Sequence, residues 1–307
     1  MTGSIVLATN QGLGILAKQF YDNGIIDIVL VHPHTSRQNH PEWFPNRVSL
    51  VEDLLDKCDT LIFFEDPFYW KLIPQARARG IKTIFIPMYE CTRFPFPYEP
   101  DEIWCPSDLD YKFYTEKGKN CKQIQIPVDI EWKLREKAKV FVHNAGNGGL
   151  GGRNGTKELL KAMEYVKSPI KLIVRSQVPI EQIDDPRIEY RIGTFDDIWS
   201  EGDVFVFPEK FNGLSLPLQE AFASGMLIMC GSRFPMTEWL PNEPMIPIEG
   251  YHKERITVEF DCADYNPVDI ANTIDNWYNK DIKKYSLLGK EYGEKNSWKN
   301  QKEKLKM

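Results

Sequence analysis

Along this chain, short apolar runs alternate with segments of helical period, and no other feature limits the possible folds as tightly. In the first half, Ile5 to Ala8, Ile25 to Val31, Thr60 to Phe64, Lys82 to Pro87 and Cys121 to Ile126 read as strands. Between them, Ile15 to Tyr21, Leu50 to Leu55, Tyr69 to Ala78 and Asp108 to Lys117 read as helices, the last with Ser107 as its N-cap. The second half repeats the scheme. Strands are expected at Val140 to His143, Ile170 to Val174, Ile188 to Ile192, Val204 to Phe207 and Met226 to Cys230. Helices are expected at Thr156 to Val166, Phe195 to Trp199, from Leu216 to the closing Gly225, and at Pro267 to Tyr278 with Asn266 as N-cap. Apolar strands in strict alternation with helices imply parallel, doubly wound sheets covered on both faces. With 307 residues there is room for two such α/β domains.

Bulk properties narrow the function classes. A net charge of -6 argues against broad nucleic-acid affinity, which needs a basic face. No apolar run approaches the roughly 18 residues of a membrane span. The first residues carry neither a basic region nor a long enough apolar segment for a signal peptide, so the chain reads as cytoplasmic. Its 6 cysteines contain no C-x-x-C pair and are expected to be reduced and mostly buried. His32, His34 and His40 share a loop, but no further ligand follows at metal-site spacing. Gly12 and Gly14 mark either a ligand approach or a plain tight turn into the first helix.

Two stretches carry candidate chemistry. In Asp203 to Gly225, a strand ends at Pro208, a polar loop follows, and a helix begins near Leu216 with Pro217 in its first turn. Free N–H groups and the helix dipole make such a place a seat for phosphate. Glu220 lies one turn inside, where a carboxylate can take two vicinal ribose hydroxyls. The other stretch, NAGNGGLGGRNGTKELLKAM, puts six glycines between Gly146 and Gly155 just before a helix. That density is costly in backbone entropy and points to close backbone approach by a ligand, a second phosphate seat.

The first stretch resembles the donor signature of retaining, nucleotide-sugar-dependent glycosyltransferases with two Rossmann-like domains, the GT-B class. Pro208, Gly213, Leu216, Pro217, Glu220, Ala221, Ala223 and Gly225 match that signature. Asn212 stands where its first glutamate belongs, and Ser215 replaces its second glycine. In the glycine loop, Arg153 matches a basic position, while Asn154 occupies a place where relatives carry lysine.

The resemblance implies two Rossmann-like domains facing a central cleft. The first is expected over 1–130 on the acceptor side, with the charged run Ile130 to Lys139 as linker. The nucleotide-sugar domain is expected over 137–280, and a helical tail over 281–307 is expected to return to the first domain. The implied activity is transfer of a sugar from a nucleoside-diphosphate sugar to an acceptor hydroxyl, with retention, without a metal and with no cofactor beyond the donor. The acceptor would be a glycan, a lipid-linked precursor, a small molecule or a hydroxymethylated DNA base. A catalytically silent nucleotide-sugar-binding partner subunit is the alternative. Donor contacts fall to Gly149, Gly152, Arg153, Arg175, Gly193, Gly213, Leu214, Ser215, Leu216 and Glu220. Arg153 and Asn212 would serve the reaction, and Glu90 would hold the acceptor hydroxyl unless it caps a helix or pairs with Arg93. Arg175 is read either as a second cation for the diphosphate or as an inter-domain salt bridge.

Overall fold

The structure, a computed structural model, describes residues 1–9, 12–32, 40–65, 69–147, 152–193 and 197–306. The chain divides into two compact units. The first comprises Met1–Ile126, Arg255–Glu259 and Trp298–Met307, the second Pro127–Glu254 and Phe260–Ser297.

In the first unit, β1 (Thr2–Val6), β2 (Ile28–Val31), β3 (Arg47–Val48), β4 (Thr60–Glu65), β5 (Lys82–Pro87), β6 (Glu102–Cys105) and β7 (Cys121–Gln123) form one sheet in the order β3-β2-β1-β4-β5-β6-β7. Neighbouring strands run parallel. The helices between them are α1 (Gly12–Asp22), α2 (Val51–Leu55), α3 (Leu72–Ala78) and α4 (Asp108–Glu116). One face of the sheet buries Leu61, Phe63 and Phe85 against Leu54 of α2 and Ile73 and Ala76 of α3. On α1, Phe20 meets Phe64 edge-on at 5.3 Å and the indole of Trp298 at 5.5 Å. That contact seats α10 (Trp298–Leu305) in the first unit.

Several expected elements are trimmed at their ends. β2 starts at Ile28, not Ile25, because the amides of Ile25 and Ile26 turn back to Phe20 O and finish α1. α3 starts at Leu72, three residues after the expected Tyr69. Ser107 does cap α4, accepting from Asp110 N at 3.1 Å. Gly14 is a packing requirement: a Cβ there would lie 2.0 Å from Thr9 O, so α1 is pressed against the segment that follows β1.

The second unit holds β8 (Val140–Gly146), β9 (Lys171–Ser176), β10 (Ile188–Ile192), β11 (Val204–Phe207), β12 (Leu227–Gly231) and β13 (Met245–Ile246), ordered β10-β9-β8-β11-β12-β13. Its helices are α5 (Thr156–Ala162), α6 (Leu216–Ala223), α7 (Met236–Trp239), α8 (Pro267–Trp277) and α9 (Lys283–Lys295). Side chains alternate across a strand, so Val204 and Val206 join α5 and α8 in one core. Phe205 and Phe207 join α6 in another. A two-stranded ribbon, β14 (Gly250–Arg255) with β15 (Glu259–Asp264), precedes α8. Asn266 caps α8, accepting from Val268 N at 2.9 Å.

Two expectations change here. Asp197 to Trp199, read as part of a short helix, is not helical. The run Ile130 to Lys139, read as a linker, packs into the second unit: Arg135 is 4% exposed and donates to Trp199 O at 2.8 Å. The apolar pattern is blind to an arginine buried for backbone carbonyls. All six cysteines are free thiols. Among the described residues no helix is long and apolar enough to cross a membrane.

Candidate functional site

The strand order of the second unit selects its own crevice. From β8 the chain moves outward to β9 and β10, then returns to lay β11 on the other side of β8. β8 and β11 therefore flank the point where the winding reverses, and ligands of such sheets bind beyond the carboxyl ends of those strands. The loop after β8 is the glycine-rich one, and the loop after β11 is Pro208 to Ser215.

These two loops are joined directly. Gly155 has φ +69, and a Cβ on it would sit 2.1 Å from Pro208 O, so only glycine permits the contact. Lys210 N donates to Arg153 O at 2.7 Å, and Lys210 Nζ pairs with Glu158 at 2.7 Å. Beneath them His143 of β8 is fully buried, with Nδ1 2.9 Å from Val206 O and Nε2 2.8 Å from Thr156 Oγ1. Since a carbonyl can only accept, Nδ1 carries the proton and Nε2 accepts from the threonine. Burial pushes the His143 pKa down to about 4, which keeps the ring neutral. His143 thus ties β8, β11 and the start of α5 together. The sequence reading passed over it as part of an apolar strand.

Arg153 is half-buried, its guanidinium 5.9 Å from the centroid of the Phe211 ring. Among the described residues it forms no ion pair. Gly152 beside it is exposed, with φ +68. Asn154 turns inward, donating to Ala145 O at 2.9 Å and closing the loop on the end of β8. Gly149 lies outside the described residues.

Along the second loop, Glu209 is 2% exposed and pairs with Arg233 at 3.1 Å. Asn212 donates through Nδ2 to Glu209 Oε1 at 2.9 Å, while its side-chain Oδ1 accepts from Leu214 N at 3.1 Å and Ser215 N at 3.0 Å. Gly213 and Leu214 are buried and Leu216 is half-buried. Ser215 takes a left-handed backbone, φ 43 and ψ 63, and among the described residues its buried hydroxyl has no hydrogen-bond partner. One turn into α6, Glu220 is half-buried at its surface, with Trp199 Nε1 3.2 Å from Oε2. Burial, opposed by that one hydrogen bond, pushes its pKa up to about 7. A carboxyl in this state gains from any further donor that reaches it.

The other expected site residues have partners of their own. Arg175 is 4% exposed; it donates to Ile198 O and lies 3.7 Å from Glu201, a contact within the second unit and not an inter-domain bridge. Gly193, with φ +143, directly follows β10 and donates to Ser176 O at 2.9 Å. In the first unit, Glu90 is 2% exposed and does not open onto solvent. It faces Asp110, whose carboxyl is raised by burial first and by the Glu90 charge second. Thr257 Oγ1 donates to Glu90 O at 3.1 Å and Thr92 O at 3.0 Å. None of these partners is local in sequence, which is why the apolar and turn patterns gave no sign of them. Among the described residues no three His, Cys, Asp or Glu side chains converge as a metal would require.

Comparison with known proteins was made by sequence and by structure. No family model matches the chain, and no curated protein matches it. Solved structures do. A sucrose-phosphate synthase from Thermosynechococcus elongatus superposes with a TM-score of 0.68 at 11% identity, covering 99% of this chain and 96% of that one. A glycosyltransferase from Rickettsia africae gives 0.67 at 11% identity, with 99% and 96% covered. HepE of Anabaena, solved with UDP and glucose, gives 0.65 at 10% identity, with 99% and 97% covered. The chain has the GT-B fold of these glycosyltransferases.

Proposed function

We propose that this protein is a glycosyltransferase that moves a sugar from a nucleoside-diphosphate sugar to an acceptor hydroxyl. The observation that carries the reading is the junction of the glycine loop with the β11 loop, Gly155 against Pro208, at the winding reversal of the second sheet. Full-length likeness to glycosyltransferases, one of them solved with UDP and glucose, supports it.

In this reading Glu220 takes the ribose hydroxyls. Its desolvated carboxyl, held by the indole of Trp199, accepts them best when ionised. Arg153, with backbone N–H groups of the glycine loop, stabilises the diphosphate as it departs. The reaction proceeds with retention and with charge neutralised by these groups, not by a metal. The acceptor is a glycan, a lipid-linked precursor or a small molecule; the net charge of -6 disfavours DNA. Free thiols in all six cysteines accord with work in the cytoplasm.

A thermal-shift panel of nucleotide sugars tests the reading, because a ligand that binds only the folded state raises its melting point. One or more of the UDP, GDP or ADP sugars is expected to raise Tm by several degrees. A panel with no shift at millimolar ligand overturns the proposal.

A further inference from the structure

We propose that Arg233, Glu209 and Asn212 form a buried clamp whose output is the placement of two backbone amides, those of Leu214 and Ser215, and that Asn212 is a positioning residue within it and not a sugar ligand. This rests on the reading of the β11 loop as the donor loop.

The clamp is built from bonds that all end on one short segment. Arg233, just after β12, donates through Nε to Glu209 O at 3.0 Å and through its terminal nitrogens to Glu209 Oε2 at 3.1 Å and Asn212 O at 3.0 Å. Tyr265 adds a bond to Glu209 O at 2.7 Å. The side chains of Arg233 and Glu209 are 6% and 2% exposed. Burying an ion pair gains little stability over an apolar pair, because desolvation offsets the attraction. What the planar guanidinium does supply is direction, with donors fixed in one fork. Here the fork fixes where the loop runs.

Asn212 passes that order to the end of the loop and needs an amide to do so. Its Nδ2 donates to Glu209, and its Oδ1 accepts from Leu214 N and Ser215 N. A carboxylate at 212 would still accept from the two amides. It has no proton for Glu209, and two carboxylates would meet at hydrogen-bond distance, where both cannot stay ionised. Asparagine at 212 is therefore the counterpart of a carboxylate at 209. The departure from the donor signature at this position belongs to the loop's interior and leaves the donor sugar with no carboxylate from residue 212. The left-handed backbone of Ser215 is held by the same carbonyl.

Asn212→Asp and Asn212→Ala, compared across pH, test this. The readout is amide hydrogen exchange at Leu214 and Ser215, as protection factors on the free protein, which needs no donor. In Asn212→Asp, a protonated carboxyl can donate to Glu209 as the amide did. Protection near that of the parent is expected at pH 5, and at least a tenfold loss at pH 8. Asn212→Ala should lose protection at both pH values, and the parent at neither. Parent-like protection of Asn212→Asp at pH 8, or of Asn212→Ala at any pH, overturns the clamp. Arg233→Lys keeps the charge without the fork and is expected to lose protection at the same two amides; retained protection also overturns it. In turnover, Asn212→Ala should lower kcat more than tenfold with donor KM changed less than threefold. A raised KM at unchanged kcat would make Asn212 a ground-state ligand instead. If no donor binds the parent at all, the functional reading fails while the exchange result still decides the clamp.

Discussion

Gly155 and Pro208 touch where no side chain fits between them: a Cβ on Gly155 would lie 2.1 Å from the Pro208 carbonyl oxygen. The same glycine holds φ +69, so two penalties coincide at one residue. Gly155→Ala is expected to cost about 2–4 kcal/mol of stability from the strained backbone and the overlap together. Chemical denaturation measures that loss, and nucleotide binding should weaken with it. A stable Gly155→Ala protein with parent affinity for UDP or GDP would separate the two loops and remove the basis of the donor site.

Glu220 gives a prediction with two signs. Glu220→Ala should weaken nucleotide binding by about 1.5–3 kcal/mol, the range for hydrogen bonds to a charged group. The free protein should respond oppositely. Its carboxyl, raised from 4.5 to about 7, binds a proton more tightly folded than unfolded. Stability therefore falls as pH rises from about 4.5 to 7 and stays reduced above that. Glu220→Gln should then be more stable than the parent at pH 8 by about 1–3 kcal/mol and no more stable at pH 4. Equal pH dependence in the two proteins would mean that the carboxyl is not desolvated.

His143 titrates with the reverse consequence. Its pKa is lowered from 6.5 to about 4, so the unfolded chain takes up the proton first. The parent should lose about 2–3 kcal/mol of stability as pH falls from 6.5 to 4 on this account alone. His143→Gln, which can still bond Val206 O, should lack that part of the acid sensitivity. Parallel stability curves for parent and variant over that interval would refute it.

Arg153→Ala should depress turnover more than donor affinity, because leaving-group charge is greatest in the transition state. A tenfold or larger fall in kcat with little change in donor Kd is expected from steady-state rates beside calorimetry. Equal turnover would end the assignment of Arg153.

Ser215 combines a left-handed backbone with a buried hydroxyl that has no partner among the described residues. Ser215→Gly relieves both and is expected to raise stability by about 1 kcal/mol. A fall in Tm would show that the hydroxyl has a partner in solution.

Much of this was legible from residue order. Val204 to Phe207, Pro217 and Gly225 announce a strand, a helix start and a stop, and β11 and α6 are where they point. Short-range chemistry was equally readable, as at Ser107 and Asn266. What stayed hidden is polar burial across distance. Nothing near Glu90 in the sequence announces Asp110, and nothing near Asn212 announces Arg233. Arg175 reads as a loop cation because it follows an apolar run, but its guanidinium turns back to the carbonyl of Ile198. Hydrophobic periodicity locates elements; it carries no information about which charged side chains pair beneath them.

The insertion of β11 beside β8, after β9 and β10 have been placed on the far side, has a consequence for biosynthesis. A ribosome releases the glycine loop well before it makes Val204, the residue that pairs with Phe141. Until then, the loop lacks the carbonyl against which Gly155 rests, and the proposed donor seat is incomplete. Under the proposed function, affinity for a nucleotide should therefore arise only after Pro208 and the start of α6 have been made. Truncations ending before Phe207 should be unable to bind, however well their remaining strands assemble.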